Sequence, residues 1–104
     1  MNKDQFLQQV KRTVQEMEPD AEVLLFGSRA RGDAAPDSDW DFLILVDKSI
    51  DDKEKMNIRH RLYEIEWEMG EVISSVIHSR EEWNRPRMKI TPFHQNVSQE
   101  GIPL

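Results

Sequence analysis

The chain has 104 residues, of which 38% are hydrophobic and 33% charged, which fits one domain over residues 1–104 with a single core. Its formal net charge of −6 argues against broad binding to DNA or RNA, since such binding depends on basic side chains that neutralise phosphates. The sequence contains no cysteine, no apolar run of membrane-spanning length and no signal peptide, so we expect a cytoplasmic protein without a membrane segment.

Two predicted elements come before the most informative stretch of the chain. Apolar residues recur at helical spacing over residues 3–17, which predicts an amphipathic helix that ends at Pro19. Residues 21–26 predict a strand, and its four consecutive apolar residues predict burial on both faces.

A glycine-bounded loop at residues 27–32 follows this strand and carries one hydroxyl and two arginines. Glycine allows the backbone N–H groups and Ser28 to approach phosphate oxygens closely. The loop also matches the first six positions of a P-loop, which then requires Lys and Ser or Thr where Asp33 and Ala34 stand. A carboxylate in place of the lysine would repel phosphate, and the P-loop interpretation is therefore excluded.

The second predicted strand, residues 39–46, begins with two carboxylates. Because successive strand side chains point to opposite faces, Asp39 and Asp41 share one face. Two neighbouring carboxylates suit a hard divalent cation such as Mg²⁺. Either aspartate alone would be only a polar strand start after a turn, but the glycine–serine pair upstream favours metal binding. Together the loop and the aspartates predict a site for a nucleoside triphosphate and its metal ion.

A long helix is predicted over residues 51–69, with Gly70 ending it. One apolar stripe of this helix is assigned to the core and consists of Ile58, Leu62, Ile65 and Met69. A second stripe lies on nearly the opposite side and consists of Met56, Tyr63 and Trp67. Two interpretations of the second stripe stay open. In the first, the C-terminal segment covers the stripe, or its aromatic side chains lie half-exposed. In the second, the stripe is a surface for a partner or for a second copy of the chain.

The remaining elements are shorter. Alternating residues predict a third strand over residues 72–78. Ser79 begins a capping-box pattern that opens a short helical turn, and residues 84–90 are predicted to form a loop. The Thr-Pro pair at residues 91–92 predicts the start of a last helix that Gly101 ends, and no element is predicted after it.

The motif Gly27-Ser28, ten residues, Asp39-x-Asp41 resembles the signature of the nucleotidyltransferase superfamily related to DNA polymerase beta. The fuller pattern of residues 27–32 and 38–41 is similar to its minimal nucleotidyltransferase branch, whose size the chain also matches. The resemblance implies an α/β nucleotidyltransferase fold. This is a short mixed sheet with helices packed mainly on one face and the nucleotide site on the other. It also implies transfer of a nucleotidyl group, AMP from ATP, to a hydroxyl, with two Mg²⁺ ions in a fully active enzyme.

By the same resemblance, Asp39 and Asp41 are the catalytic metal ligands. The residues assigned to the nucleotide phosphates are Gly27, Ser28, Arg29 and Arg31. The family usually supplies a third carboxylate from the third strand, and the matching position here is Ser74. A serine hydroxyl binds Mg²⁺ more weakly and cannot act as a base at neutral pH. Glu71 points to the other face unless the strand bulges. The hypothesis is that Mg–nucleotide binding survives while transfer is weakened or lost.

In the family the acceptor can be a protein, notably a tyrosine of a HEPN-domain ribonuclease toxin, and the transferase then serves as its antitoxin. The chain is too short to contain the second domain with which aminoglycoside-modifying transferases hold their substrates, which favours an acceptor on a separate chain. One alternative is a catalytically degenerate module that binds a partner through the stripe at Met56, Tyr63 and Trp67. Another is transfer to a small molecule by a homodimer.

Overall fold

The computed structural model describes residues 2–104, and these residues contain one four-stranded mixed sheet. Its strands are β1 (Glu22–Phe26), β2 (Trp40–Val46), β3 (Ile73–Ser79) and β4 (Ile102–Pro103), in the spatial order β3-β2-β1-β4. β1 is antiparallel to both of its neighbours, whereas β2 and β3 are parallel. A parallel pair needs a crossover connection, and the long helix between β2 and β3 provides it.

Six helices accompany the sheet in the described part of the chain. They are α1 (Lys3–Met17), α2 (Ser28–Arg31), α3 (Asp52–Met69), α4 (Arg80–Trp83), α5 (Pro86–Lys89) and α6 (Pro92–Glu100). No helix within residues 2–104 combines the length and the apolar character that crossing a membrane requires. The predicted bounds of the two long helices, α1 and α3, agree with the observed ones apart from the capping residue Asp51.

Local chemistry explains where α3 begins and ends. The Asp51 side chain accepts a hydrogen bond from the Glu54 N–H at 2.8 Å, and Glu54 in turn accepts from the Asp51 N–H, which forms a capping box. At the other end Gly70 has a φ of +68°, a left-handed conformation that glycine adopts without steric cost. Both signals involve residues only a few positions apart, and of the two the prediction used Gly70.

The main core lies between one face of the sheet and the two long helices. Its fully buried side chains include Phe6, Val10, Val14, Phe42, Ile44, Val46 and Ile58. The predicted core stripe of α3 is confirmed, since its first three members are buried and the fourth packs partly buried against the core. Each such side chain contributes about 1.5–3 kcal/mol on burial.

The opposite face of the sheet carries a smaller core under the short C-terminal helices. Leu43 and Leu45 of β2 pack there against Trp83 at the end of α4 and Val97 of α6. A strand that is apolar on both faces must be covered on both sides. The long helices therefore lie on one face, as predicted, and α4 and α6 cover part of the other.

Besides shifts of one residue in the strand bounds, four local predictions differ from the structure. Residues 28–31, predicted as part of a loop, form the helical turn α2. Residues 86–89, predicted as loop, form the helical turn α5, because proline is favoured in the first turn of a helix. The chain end also contains a strand, β4, in which Ile102 pairs with Leu25 of β1. Finally, β1 is fully buried on one face only, and Leu24 and Phe26 stay partly exposed on the other.

Candidate functional site

The loop after β1 turns sharply at Gly27 and continues as the single helical turn α2. Gly27 has a φ of +76°, and a Cβ at this position would collide with the carboxylate of Asp41, whose Cγ would lie 3.2 Å away. Only glycine therefore allows β1 to end so close to the aspartate of the next strand. The first N–H groups of a helical turn have no intrahelical partner, which leaves those of Ser28 and Arg29 available to an anion.

Three side chains line up across the sheet beside this turn. Asp41 of β2 is the register partner of Phe26 in β1 and of Ser74 in β3, so all three point to the same face. This face is the one opposite α1 and α3, where the sequence predicts the nucleotide site. Asp39 lies just before β2 and is exposed, whereas Asp41 is partly buried. The two predicted metal ligands thus lie two residues apart, one just before β2 and one within it.

The electrostatics of the aspartate pair favour a cation. Burial raises the pKa of Asp41, the negative charges of Asp39 and Glu100 raise it further, and Arg31 opposes them. Crowded carboxylates of this kind are the hard oxygen donors that Mg²⁺ prefers, and a cation between them would relieve their repulsion. Within residues 2–104, no group of three His, Cys, Asp or Glu side chains forms a complete metal cage. Asp39 and Asp41 could therefore hold a divalent ion only together with oxygens from outside the chain.

The sequence did not reveal the fourth charged group of the site, Glu100 at the end of α6. Its carboxylate accepts a hydrogen bond from the Gly27 N–H at 3.1 Å and from the Arg31 guanidinium at 3.1 and 3.3 Å. The hydrogen bond to Glu100 and the contact with Asp33 raise the pKa of Arg31. One sequence signal was present: a carboxylate in the last helical turn is disfavoured by the helix dipole, so its presence calls for a partner elsewhere.

The two arginines of the loop have different surroundings. Arg29 donates to the backbone carbonyls of Ser38 at 2.9 and 3.3 Å and of Pro36 at 3.0 Å, and its guanidinium lies 4.4 Å from the centroid of the Trp40 ring. Arg29 therefore orders the turn that carries Asp39 into β2, and its Nε and Nη2 donors are engaged by the protein itself. Arg31 is the arginine that faces the aspartate pair.

Ser74 occupies the position beside Asp41 that strand alternation predicts, and its side chain is exposed. Glu71 lies on the other side of the sheet, where it accepts a hydrogen bond from the Trp40 indole at 3.0 Å. Trp40 belongs to the main core under α1. Glu71 thus lies on the opposite face and does not supply a carboxylate at the position that Ser74 occupies.

The second stripe of α3 is not covered by any part of residues 2–104. Met56, Tyr63 and Trp67 are 67%, 51% and 74% exposed. The rings of Tyr63 and Trp67 meet edge to face with centroids 6.1 Å apart. The C-terminal segment runs along the other face and edge of the sheet, so the interpretation in which it covers this stripe is wrong.

Comparison with known proteins places the chain in a family. A family model of the nucleotidyltransferase domain matches residues 7–104, almost the whole chain. A candidate protein adenylyltransferase of Methanocaldococcus jannaschii is 37% identical over 83 residues, which cover 79% of this chain and 75% of that protein. The chain belongs to the nucleotidyltransferase domain family, and the predicted family is confirmed.

Solved structures show the same architecture. A structure described as that of a candidate minimal nucleotidyltransferase superposes with a TM-score of 0.64 at 24% identity, over 100% of this chain and 97% of that one. A chain of a toxin–antitoxin complex with AMP-PNP gives a TM-score of 0.66 at 18% identity, over 92% and 69%. A double aspartate-to-glutamate mutant of the toxin–antitoxin complex MntA–HpeT gives 0.65 at 16%, with the same coverage. These likenesses confirm the predicted nucleotidyltransferase fold.

Proposed function

We propose that this protein binds a nucleoside triphosphate with Mg²⁺ and transfers its nucleotidyl group, AMP from ATP, to a hydroxyl of a partner protein. The observation that carries the proposal is the close approach of Asp41 to the turn at Gly27, on the sheet face opposite the long helices, with the charge of Asp39 acting on Asp41. Membership in the nucleotidyltransferase family supports the reaction type.

In this proposal each residue has a separate task. Asp39 and Asp41 would hold Mg²⁺, which when bound would supply neutralisation of phosphate charge. Ser28, its backbone N–H and Arg31 bind the outer phosphates, while Gly27 keeps the turn close to Asp41 and Arg29 orders the loop before Asp39. The acceptor oxygen attacks the α-phosphorus, the bond to the β-phosphate breaks, and pyrophosphate leaves.

Removal of the proton from the acceptor hydroxyl is the step of the reaction that the site supports least. Ser74, at the position of the family's third carboxylate, cannot take up this proton at neutral pH. The proton must pass to solvent, and general-base catalysis of this kind usually contributes about 10²–10⁴-fold in rate. Nucleotide binding is therefore expected to be intact and transfer to be slow.

Three similar proteins support a protein as the acceptor. The relative from Methanocaldococcus jannaschii is described as a candidate protein adenylyltransferase, and two of the similar folds occur in toxin–antitoxin complexes. We infer that the acceptor is a partner toxin of the HEPN type and that this protein is its antitoxin, acting in the cytoplasm. A homodimer is the alternative assembly.

A second candidate function is favoured by two observations. The third-carboxylate position is Ser74, and the stripe formed by Met56, Tyr63 and Trp67 is exposed on α3. A protein whose catalytic site has degenerated would still neutralise a partner by binding it through this stripe. In that case the complex would form without any nucleotide.

Calorimetric titration of Mg-ATP tests the proposal. Wild type should bind, and the double variant Asp39→Asn/Asp41→Asn should lose binding in the presence of Mg²⁺. Asp37→Asn/Asp52→Asn is the matched control, since it removes two exposed carboxylates outside the site and should bind as wild type does. Equal binding by wild type and the site double variant would overturn the assignment of the metal ligands. Absence of binding by wild type, alone and with its partner, would favour the second candidate function.

A further inference from the structure

Two of the donors expected to bind phosphate, the Gly27 N–H and the Arg31 guanidinium, are already occupied by a side chain of the protein itself. Glu100 places one carboxylate oxygen 3.1 Å from the Gly27 nitrogen and the other 3.1 Å from the Arg31 guanidinium. These residues lie 73 and 69 positions apart from Glu100 in the chain. The contact is therefore created by the fold, which brings the end of α6 to the turn after β1.

A carboxylate in this position resembles a phosphate group. Both are anions whose oxygens accept charge-assisted hydrogen bonds from a guanidinium and from backbone N–H groups. A phosphate and Glu100 cannot both accept from the Gly27 N–H and from the same face of Arg31. The Glu100 carboxylate thus competes with a phosphate ligand for the hydrogen-bond donors of the loop.

Within residues 2–104, the hydrogen bonds and the ion pair of the Glu100 side chain go to Gly27 and Arg31 alone. Glu100 is the last residue of α6, where the helix dipole disfavours a negative charge, and 21% of its side chain is exposed. The backbone beyond it is held by the two-residue strand β4, and a Cβ on Gly101 would lie only 2.6 Å from the Val97 carbonyl oxygen. The backbone is therefore tightly packed, and rotation of the Glu100 side chain into solvent is the simple way to open the site.

We propose that Glu100 holds the phosphate-binding loop closed in the free protein and must release Gly27 and Arg31 before a triphosphate binds. This inference rests on the proposed function and adds a regulatory element to it. A partner that contacts the end of α6 would raise nucleotide affinity by drawing Glu100 away, because the apparent affinity is reduced by the fraction of molecules that are closed.

The test measures binding of Mg-ATP, and of inorganic tripolyphosphate without metal, by calorimetry. Glu100→Gln should bind both ligands about tenfold more tightly than wild type. Glu100→Asp keeps the charge but has a shorter reach, so it should also bind more tightly. Glu81→Gln removes one charge from the exposed surface of α4, at the far end of β3, and should leave both affinities unchanged. The tightening caused by Glu100→Gln should vanish in an Arg31→Ala background, since the two residues share one contact.

Several results would overturn the inference and can be told apart from failure of the proposed function. If wild type binds Mg-ATP and Glu100→Gln binds equally or less tightly, Glu100 does not compete with phosphate, and weaker binding would make it a supporting ligand of the site. Equal tightening by Glu81→Gln would show a general charge effect. If neither wild type nor Glu100→Gln binds either ligand, both proposals are wrong. The Gly27 amide resonance provides a readout without nucleotide: it should shift in Glu100→Gln and Glu100→Asp and stay unchanged in Glu81→Gln.

Discussion

Gly27 and Asp41 approach each other so closely that each restricts what the other position accepts. The turn at Gly27 needs a positive φ and has no room for a Cβ on the side of the aspartate. Gly32, five residues later, also has a positive φ but open space around it. Position 27 therefore needs glycine both for its backbone conformation and for lack of space, whereas position 32 needs it for its backbone conformation alone.

We predict that Gly27→Ala destabilises the fold by about 2 kcal/mol or more, because the cost of a strained φ and the cost of a collision with Asp41 are added together. Gly32→Ala should cost only about 1 kcal/mol, which is the penalty of the left-handed conformation alone. Urea unfolding of both variants measures the difference. Equal losses of stability would mean that the Asp41 side chain moves away from residue 27 without cost.

A second prediction concerns the pH dependence of Asp41. Burial, Asp39 and Glu100 raise the pKa of Asp41 above its value in the unfolded chain. A carboxyl group with a raised pKa favours the folded state below the unfolded pKa, and this contribution is lost as the pH rises through the folded pKa. Asp41→Asn should therefore raise the melting temperature of the metal-free protein at pH 7, by a few degrees at most, and have little effect at pH 3.

Thermal unfolding in a chelator, from pH 3 to pH 8, checks this prediction. The exposed Asp37→Asn serves as control and should show no gain that grows with pH. A loss of stability at pH 7 in Asp41→Asn would mean that favourable hydrogen bonds outweigh the repulsion from Asp39 and Glu100.

The third prediction concerns catalysis at Ser74. Its side chain lies beside Asp41 on the adjacent strand, so a carboxylate there would reach the same face. Ser74→Asp should increase the rate of AMP transfer at least about tenfold by supplying a proton acceptor and a metal ligand. Ser74→Asn has a similar shape but no ionisable group and should stay near the wild-type rate. If wild type transfers AMP as fast as Ser74→Asp does, the serine at this position does not slow the reaction.

At the scale of elements, Trp83 is the aromatic side chain through which α4 packs against both the sheet and α6. Trp83 is 7% exposed, and its ring lies 5.8 Å from that of Phe93 and 4.2 Å from that of His94. The same packing holds the end of α6, and therefore Glu100, beside Gly27. The packing of Trp83 against Phe93 and His94 thus affects both the attachment of α4 and α6 to the sheet and the access of a ligand to the site.

We predict that Trp83→Ala destabilises the protein by about 3–5 kcal/mol, the usual cost of removing a buried aromatic side chain. Trp67→Ala should change stability by less than about 0.5 kcal/mol, because Trp67 is 74% exposed. Denaturant unfolding of the two tryptophan variants makes the comparison. A small effect of Trp83→Ala would mean that the smaller core contributes little to the fold.

At the scale of the whole molecule, the sheet separates the candidate site from the exposed stripe of α3. The core stripe of α3 packs on the face that carries Phe42 and Ile44, whereas Asp41 points to the other face. A partner bound to Tyr63 and Trp67 therefore docks behind the sheet that carries the site. Such a partner offers its acceptor hydroxyl to this site only by extending around the edge of the sheet, or it offers that hydroxyl to a second copy of the chain.

If the partner docks on this stripe, as in the second candidate function, Trp67→Ala should weaken the complex at least about tenfold. Because the sheet lies between the stripe and the site, Mg-ATP binding should stay unchanged. Ile90→Ala is the matched control, because Ile90 is 75% exposed next to α5 rather than on α3. Affinity measurements on the purified partner test both variants. An unchanged affinity of Trp67→Ala would remove the stripe as the docking surface.

The sequence by itself determined the features that neighbouring residues encode. Helical spacing and caps defined α1 and α3, and strand alternation put Asp41 and Ser74 on one face, because these patterns depend on residues a few positions apart. The position of Glu100 at Gly27, the Arg29 contacts with the loop and the pairing of β4 were decided by the tertiary structure. Gly27 and Glu100 lie 73 positions apart, and β4 has only two residues, too few for any alternation to appear. Contacts between distant segments depend on how the helices and the sheet pack together, and local sequence patterns do not record that packing.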